Sequence, residues 1–258
     1  MEARTLDAGR GRFWVAGGWA LFNRDRALWF GMALVYLAIA IMLDEIPFIG
    51  YLLIVWITPL FAAGALVTAK DLETRDVHMP MPPREALRDS LRRACGSSVA
   101  ALFQTFWQPE KTLAVMITGT MALGGAVVIQ VLGELFGVGS PTIPAMITSG
   151  VGFVTWAPAV FSLVVIWALR LALILVTLSA VHLVVLDDQM SLPAIEHSTR
   201  ALGRHAAPVA LFGTVFLVPM LMSRHLGLPG AVLVNVLMLP LFLTSLYESH
   251  KELCPGDP

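Results

Sequence analysis

The sequence feature that most constrains the fold is the apolar run over residues 142–186, in which Arg170 is the only residue with a formal charge at neutral pH. A membrane-spanning helix needs about 20 predominantly apolar residues, and this run is long enough to form one. Charged residues make up only 14% of the 258 residues, compared with roughly 25% in a soluble domain. Lipid rather than water is therefore the expected surrounding of most of the chain.

Six stretches have the length and apolarity of a spanning helix. They cover residues 27–43, 48–69, 112–132, 157–186, 208–222 and 230–246. An alternative splits the run 142–186 into two spans that meet at Arg170, but this needs a tight turn in a stretch without glycine, proline, asparagine or aspartate. The sequence thus predicts an all-α, polytopic protein whose residues 1–258 form a single membrane domain.

Lysine and arginine lie almost entirely on one side of the predicted spans, and only Arg224 lies in a loop on the other side. The basic side has Arg4, Arg10, Arg12, Arg24 and Arg26 before the first span, Lys70, Arg75, Arg84, Arg88, Arg92, Arg93 and Lys111 after the second, Arg200 and Arg204 after the fourth, and Lys251 after the sixth. Cytoplasmic loops carry the excess of basic residues. We therefore expect both termini in the cytoplasm.

The six spans form three similar units, each with a basic amphipathic segment followed by a two-helix hairpin. The second span of each unit contains a proline, which is Pro59, Pro158 or Pro240. The units give a first interfacial helix and hairpin over 11–69, a cytoplasmic basic segment over 70–111, a second hairpin over 112–186, and a third interfacial helix and hairpin over 187–258. The prolines are expected to bend the helices, with a packing role favoured over a gating role.

The first amphipathic segment combines aromatic and basic residues: Trp14, Trp19, Arg24, Arg26 and Trp29. Aromatic rings beside arginines are typical of an anchor at headgroup depth. We predict that these residues anchor the segment at the membrane interface, where they would also meet anionic headgroups.

Arg170 poses the main chemical question, because a charge at the centre of a spanning helix costs about 2.5–3.5 kcal/mol on insertion scales. It is expected to find an acceptor within the bundle. The candidates are Glu134, Asn235 and a carbonyl freed by Pro158 or Pro240; Gln130 and His182 complete the intramembrane polar residues. Three interpretations stay open: a site for an anion or a lipid headgroup, a clamp that fixes helix register, or a side chain that extends to the interface.

The sequence contains no motif for a nucleotide, a catalytic serine or a metalloprotease site. Asp187, Asp188, Glu196, His197 and His205 form a weak candidate for a metal or catalytic site, but aspartates at this position more simply end a helix. We predict no catalytic residue, no metal and no cofactor. The net charge of −1 gives no global attraction to nucleic acid.

The N-terminal pattern "AGRGRFWVAGGWALFNRDRALWFGMALVYL", the later "PAIEHSTRALGRHAAPVALFG" and the closing "LPLFLTSLYESHKEL" resemble a family of uncharacterised multi-spanning inner-membrane proteins of proteobacteria. Many of those relatives have an asparagine where this chain has Arg204 and His205. The resemblance implies a multi-pass protein of the bacterial inner membrane and implies no activity.

The expected function is non-enzymatic: the protein binds lipid or a membrane-protein partner, as an accessory or assembly factor, or associates with a second copy. The alternative is a small transporter or channel for an anionic or lipidic substrate, with Arg170 in the bundle. A membrane enzyme that uses the segment 187–205 ranks third.

Overall fold

The computed structural model describes residues 9–46, 49–74, 96–136, 153–223 and 226–253. This part of the chain is helical and contains no strand, which confirms the all-α prediction for these residues. The α-helices are α1 (Arg10–Arg24), α2 (Arg26–Asp44), α3 (Ile49–Thr74), α4 (Ser98–Leu102), α5 (Pro109–Leu135), α6 (Phe153–Leu186), α7 (Ser191–Arg204), α8 (Ala206–Ser223) and α9 (Gly227–Leu253), with a 3₁₀ turn at Gln104–Trp107.

Within the described part of the chain, five helices are long and apolar enough to cross a membrane. These segments are Arg26–Leu43, Leu52–Thr74, Pro109–Leu135, Phe161–Leu186 and Pro229–Leu253. The predicted span 208–222 falls on α8, where a shorter apolar helix covers Ala206–Phe216. Helix α6 continues through Arg170 without interruption, so the alternative with a turn at that residue is wrong. Residues 75–95 of the predicted basic segment 70–111 lie outside the described residues, as do residues 137–152 within the predicted second hairpin 112–186.

Local signals in the sequence explain where two of these helices begin. Asp25 separates α1 from α2, and its side chain accepts a hydrogen bond from the Leu28 amide at 3.1 Å. This satisfies one of the amide donors that a helix start leaves without a partner. Pro109 occupies the first turn of α5, where its missing N–H costs nothing and its fixed φ suits the helix.

Each short helix packs on the hairpin that precedes it in a cyclic order. Helix α4 contacts α2 and α3, α7 contacts α6 and α5, and α1 closes the cycle by contacting α9 and α8. Serine hydroxyls fix two of these contacts: Ser98 donates to the Leu28 carbonyl at 3.0 Å, and Ser198 donates to the Val176 carbonyl at 2.9 Å. The three hairpins also contact one another directly through their helices.

Two glycines permit the closest of these approaches. A Cβ atom at Gly18 would lie 2.3 Å from Oγ of Ser245 and 2.5 Å from its backbone nitrogen, because α1 rests directly on α9. A Cβ atom at Gly64 would lie 2.4 Å from the carbonyl oxygen of Leu102, where α4 meets α3. Only a residue without a side chain fits at such distances.

Candidate functional site

A cavity of about 350 Å³ lies between the hairpins and is lined by residues of α2, α3, α4, α5, α6, α8 and α9. Its walls are mainly aliphatic and aromatic side chains. Arg170 is the only formally charged residue among the lining residues that the structure describes. The volume lies in the range of small-molecule pockets, which are mostly apolar with a few placed polar groups.

The cavity is elongated along the helices. On α3 its lining runs from Ile54 to Ala65, which corresponds to roughly 16 Å at 1.5 Å per residue. On α6 it runs from Arg170 to Leu178. Arg170 is therefore at the end of the cavity nearest the start of α3. Trp29 is near the start of α2. Because a short connection joins α2 to α3 and the two helices pack on each other, the start of α2 lies near the end of α3. Trp29 is therefore toward the end of the cavity opposite Arg170.

The remaining polar groups in the wall differ in whether they have partners. The hydroxyls of Tyr36 and Thr58 bond to each other at 3.0 Å, and Thr58 also donates to the Ile54 carbonyl at 2.6 Å. Trp29 is 1% exposed, and its indole N–H is buried without a hydrogen-bond partner in the described part of the chain. Buried donors are nearly always paired, so the indole is an exception to this rule beside the cavity.

Arg170 is held by a short polar ladder between α6 and α5. Its Nη2 donates to Oε1 of Gln130 at 2.7 Å, and Nε2 of Gln130 donates to Oε1 of Glu134 at 3.0 Å. The guanidinium also lies 5.4 Å from the ring centroid of Trp167, within cation–π distance. A guanidinium carries five N–H donors, and the bond to Gln130 uses one of them.

The predicted acceptors of Arg170 therefore differ in whether they contact its side chain. Glu134 belongs to the ladder but is reached only through Gln130. Asn235 donates to the Ala231 carbonyl of its own helix at 2.7 Å instead. Pro240 lines the cavity, as does Pro59, while Pro158 lies in the part of α6 whose side chains are outside the described ones.

His182 is fully buried where α6 meets α9. Its Nδ1 lies 3.0 Å from the Leu178 carbonyl, and a carbonyl only accepts, so Nδ1 carries the proton. The ring stacks on His250 at 4.9 Å, and Nε2 of His250 donates to Asp187 at 3.3 Å. The Nε2 atom of His182 is buried without a partner among the described residues.

A second polar cluster joins α1, α3 and α9 and was not predicted. Glu73 accepts a hydrogen bond from the Tyr247 hydroxyl at 2.7 Å and from Nζ of Lys251 at 2.5 Å. Arg24 donates to the backbone carbonyls of Leu72 at 2.8 Å and Glu73 at 3.0 Å. The signal in the sequence was the juxtamembrane Tyr247, but its partner is 174 residues away in the chain.

The predicted interface anchors divide into buried and exposed residues. Trp14 is 2% exposed and donates from Nε1 to Glu252 at 2.9 Å, because the glycine-rich face of α1 packs closely on α9 and turns this ring inward. Trp29 belongs to the cavity wall. Trp19 is 49% exposed, and Arg26 bonds to Asn23 at 2.7 Å on the surface. Membrane anchoring stays a prediction, for which Trp19 offers the accessible ring.

The weak candidate site at 187–205 is split by the structure. Asp187 bonds to His250, and Asp188 pairs with Lys111 at 2.8 Å. The hydrogen bond from Lys111 holds the pKa of Asp188 below its ordinary value. His197 and His205 instead line a surface groove together with Glu196, and no group of three potential metal ligands occurs among the described residues.

The long apolar helices are those of a helical, membrane-embedded protein. No protein-family model, no curated protein and no solved structure matches the chain. The site must therefore be interpreted from its own chemistry.

Proposed function

We propose that this chain is a non-enzymatic, integral protein of the bacterial inner membrane that binds an anionic lipid or a related single-chain amphiphile in its central cavity. The observation that carries the proposal is the elongated apolar cavity with Arg170 as its one charged lining residue in the described part of the chain. Apolar walls suit a hydrocarbon chain, and a guanidinium suits a carboxylate or phosphate.

A further observation supports a ligand with acceptor atoms. The Arg170 side chain keeps N–H donors beyond the one given to Gln130. An isolated charge inside a membrane protein is functional by default, and a purely structural clamp would leave these donors unexplained.

The proposal includes six spans in three repeated units with both termini in the cytoplasm. The cyclic packing of α4, α7 and α1 on successive hairpins supports the repeat. The apolar helix over Ala206–Phe216 supports a sixth span. The lysine and arginine bias supports the orientation.

The second candidate is a small transporter or channel for the same class of anion. The observation in its favour is that Pro59 and Pro240 both line the cavity. Proline removes an intrahelical hydrogen bond and permits bending, which would let the cavity open. Flux of an anionic amphiphile in vesicles, lost in Arg170→Leu, would favour transport over simple binding.

The test is native mass spectrometry of protein extracted gently with its own lipids, for wild type, Arg170→Leu and Arg12→Leu. Arg12 is an exposed arginine outside the cavity, and its variant loses the same charge. We expect a retained anionic amphiphile in wild type and Arg12→Leu that is lost in Arg170→Leu. Size-exclusion chromatography and circular dichroism check that each variant is folded.

Retention of the same amphiphile by folded Arg170→Leu would refute binding through this residue. A retained protein partner or second copy that is unaffected by the change would instead support an accessory or assembly role. Arg170 would then act as a clamp between α5 and α6.

A further inference from the structure

A surface groove of about 330 Å³ lies along helix α7 and shares no described lining residue with the central cavity. Its lining includes Glu196, His197, Arg200, Arg204 and His205, with Leu253 at the end of α9. The opposite face of α7, which includes Ala194 and Ser198, is buried, because this helix packs on α6. The groove is therefore formed by the polar side of an amphipathic helix and the end of α9.

The groove gathers cationic and imidazole side chains at helical spacing. His197, Arg200 and Arg204 are separated by three and four residues, so they lie on one face of α7. Glu196 bonds to Arg200 and offsets its charge. Arg204 has no ion pair within the part of the chain that the structure describes, so it leaves the groove with a surplus of positive charge.

His205 adds a half-buried imidazole to the lining of the groove. It follows the last residue of α7, and its amide donates to the Ala201 carbonyl at 3.2 Å. Its Nδ1 atom is buried and has no hydrogen-bond partner among the described residues. An imidazole beside two guanidinium groups can converge on several oxygens of one anion.

We propose that this groove binds a phosphate group, supplied by a phospholipid headgroup or by a soluble phosphate compound. Arginine matches phosphate through its planar fork of donors, and basic pockets at the cytoplasmic side of membrane proteins hold phosphorylated headgroups. Arg204 and His205 bind the phosphate oxygens directly, and His197 contributes from the preceding turn. The site is independent of the amphiphile site at Arg170.

The experiment uses the full chain in a neutral detergent and compares wild type with the double variant Arg204→Gln/His205→Gln. Arg12→Gln is the matched control, because Arg12 is an exposed arginine of α1 that stacks on Phe13 at 5.1 Å. Inorganic phosphate is titrated by calorimetry. In parallel, retention of phosphatidic acid is measured in phosphatidylcholine nanodiscs, with Arg170→Leu present in every chain so that the central cavity does not contribute.

We expect the double variant to bind phosphate or phosphatidic acid at least about tenfold more weakly, because it loses charge-assisted hydrogen bonds. Arg12→Gln should bind like wild type. Glu196→Gln should bind more tightly, because it frees Arg200, and this gain cannot arise from misfolding. Binding of phosphatidic acid alone identifies a lipid headgroup as the ligand, whereas binding of inorganic phosphate identifies a soluble source.

The proposal is overturned if neither probe binds wild type, or if the double variant and Arg12→Gln bind equally. It is also overturned if Glu196→Gln binds no better than wild type. Arg170→Leu should leave phosphate binding unchanged, so this test can fail without affecting the proposed function, and the reverse is also true.

Discussion

A methyl group at Gly18 would collide with helix α9, and this makes Gly18→Ala the sharpest test of the packing. The new Cβ would lie 2.3 Å from Oγ of Ser245, 2.5 Å from its nitrogen and 2.6 Å from its Cα. Two of these atoms belong to the backbone, so α1 itself must move. Overpacking of this kind costs about 1–3 kcal/mol, and alanine returns about 0.5–1 kcal/mol as the better helix former.

The expected net loss is therefore up to about 2.5 kcal/mol of unfolding free energy, with the larger value if the bond from Trp14 to Glu252 is also lost. Thermal unfolding in detergent, followed by tryptophan fluorescence, should show a midpoint lowered by up to about 10 °C for a chain of this size.

The matched control is Gly124→Ala in helix α5, where an added Cβ meets nothing within 4 Å. This variant should be neutral or more stable by up to about 1 kcal/mol, because it gains helix propensity without a collision. If Gly18→Ala were as stable as Gly124→Ala, then α1 would not pack on α9 as described, and the cyclic arrangement of the hairpins would lose its closing contact.

Two further changes test the ladder and the α5–α6 junction. Gln130→Ala removes the acceptor of Arg170 and should lower the unfolding free energy by about 1–3 kcal/mol; an unchanged chemical or thermal unfolding midpoint would contradict the ladder. Asp188→Asn keeps a residue that tolerates the positive φ of 52° but removes the pair with Lys111. Because the folded pKa of Asp188 is lowered, the pair stabilises the fold above the ordinary pKa, and this contribution is lost as pH falls through the folded pKa. When the unfolding free energy is measured at low salt as the pH is lowered, Asp188→Asn should lose less of it than wild type does. Equal losses would show that the pair contributes nothing measurable.

The long apolar helices could be predicted because length and apolarity alone decide them. The contact between α1 and α9 could not, because it joins residues more than two hundred positions apart in the chain and depends on small residues that face each other. The pair Gly17 and Gly18 beside Trp14 was a usable signal, since adjacent glycines in an amphipathic helix indicate a close neighbour. The same segment, which is basic and aromatic, indicates a membrane anchor from sequence alone. In the structure, however, its Trp14 is buried in the protein core.

The candidate site was predictable in part. Arg170 stood out as an isolated charge, but its acceptor depended on the register between α5 and α6, which the sequence does not define. Gln130 and Glu134 are four residues apart and share a helix face, so their hydrogen bond could be predicted from the sequence. The indole N–H of Trp29, which has no partner among the described residues, could not be predicted, because a missing partner is visible only after the surroundings are known.

Positions counted from the helix ends bear on the proposed repeat. Pro59 and Pro240 each lie about four turns before the ends of α3 and α9, and Arg170 lies about four turns before the end of α6. All three residues line the cavity, whereas the side chain of Pro158 is outside the described ones. Pro59 withdraws the intrahelical donor from the Val55 carbonyl, and Val55 also lines the cavity. Two helix-breaking residues thus line an apolar cavity whose one formally charged residue in the described part of the chain, Arg170, lies at its end, and this arrangement suits the amphiphile with a single anionic head that we propose as the ligand.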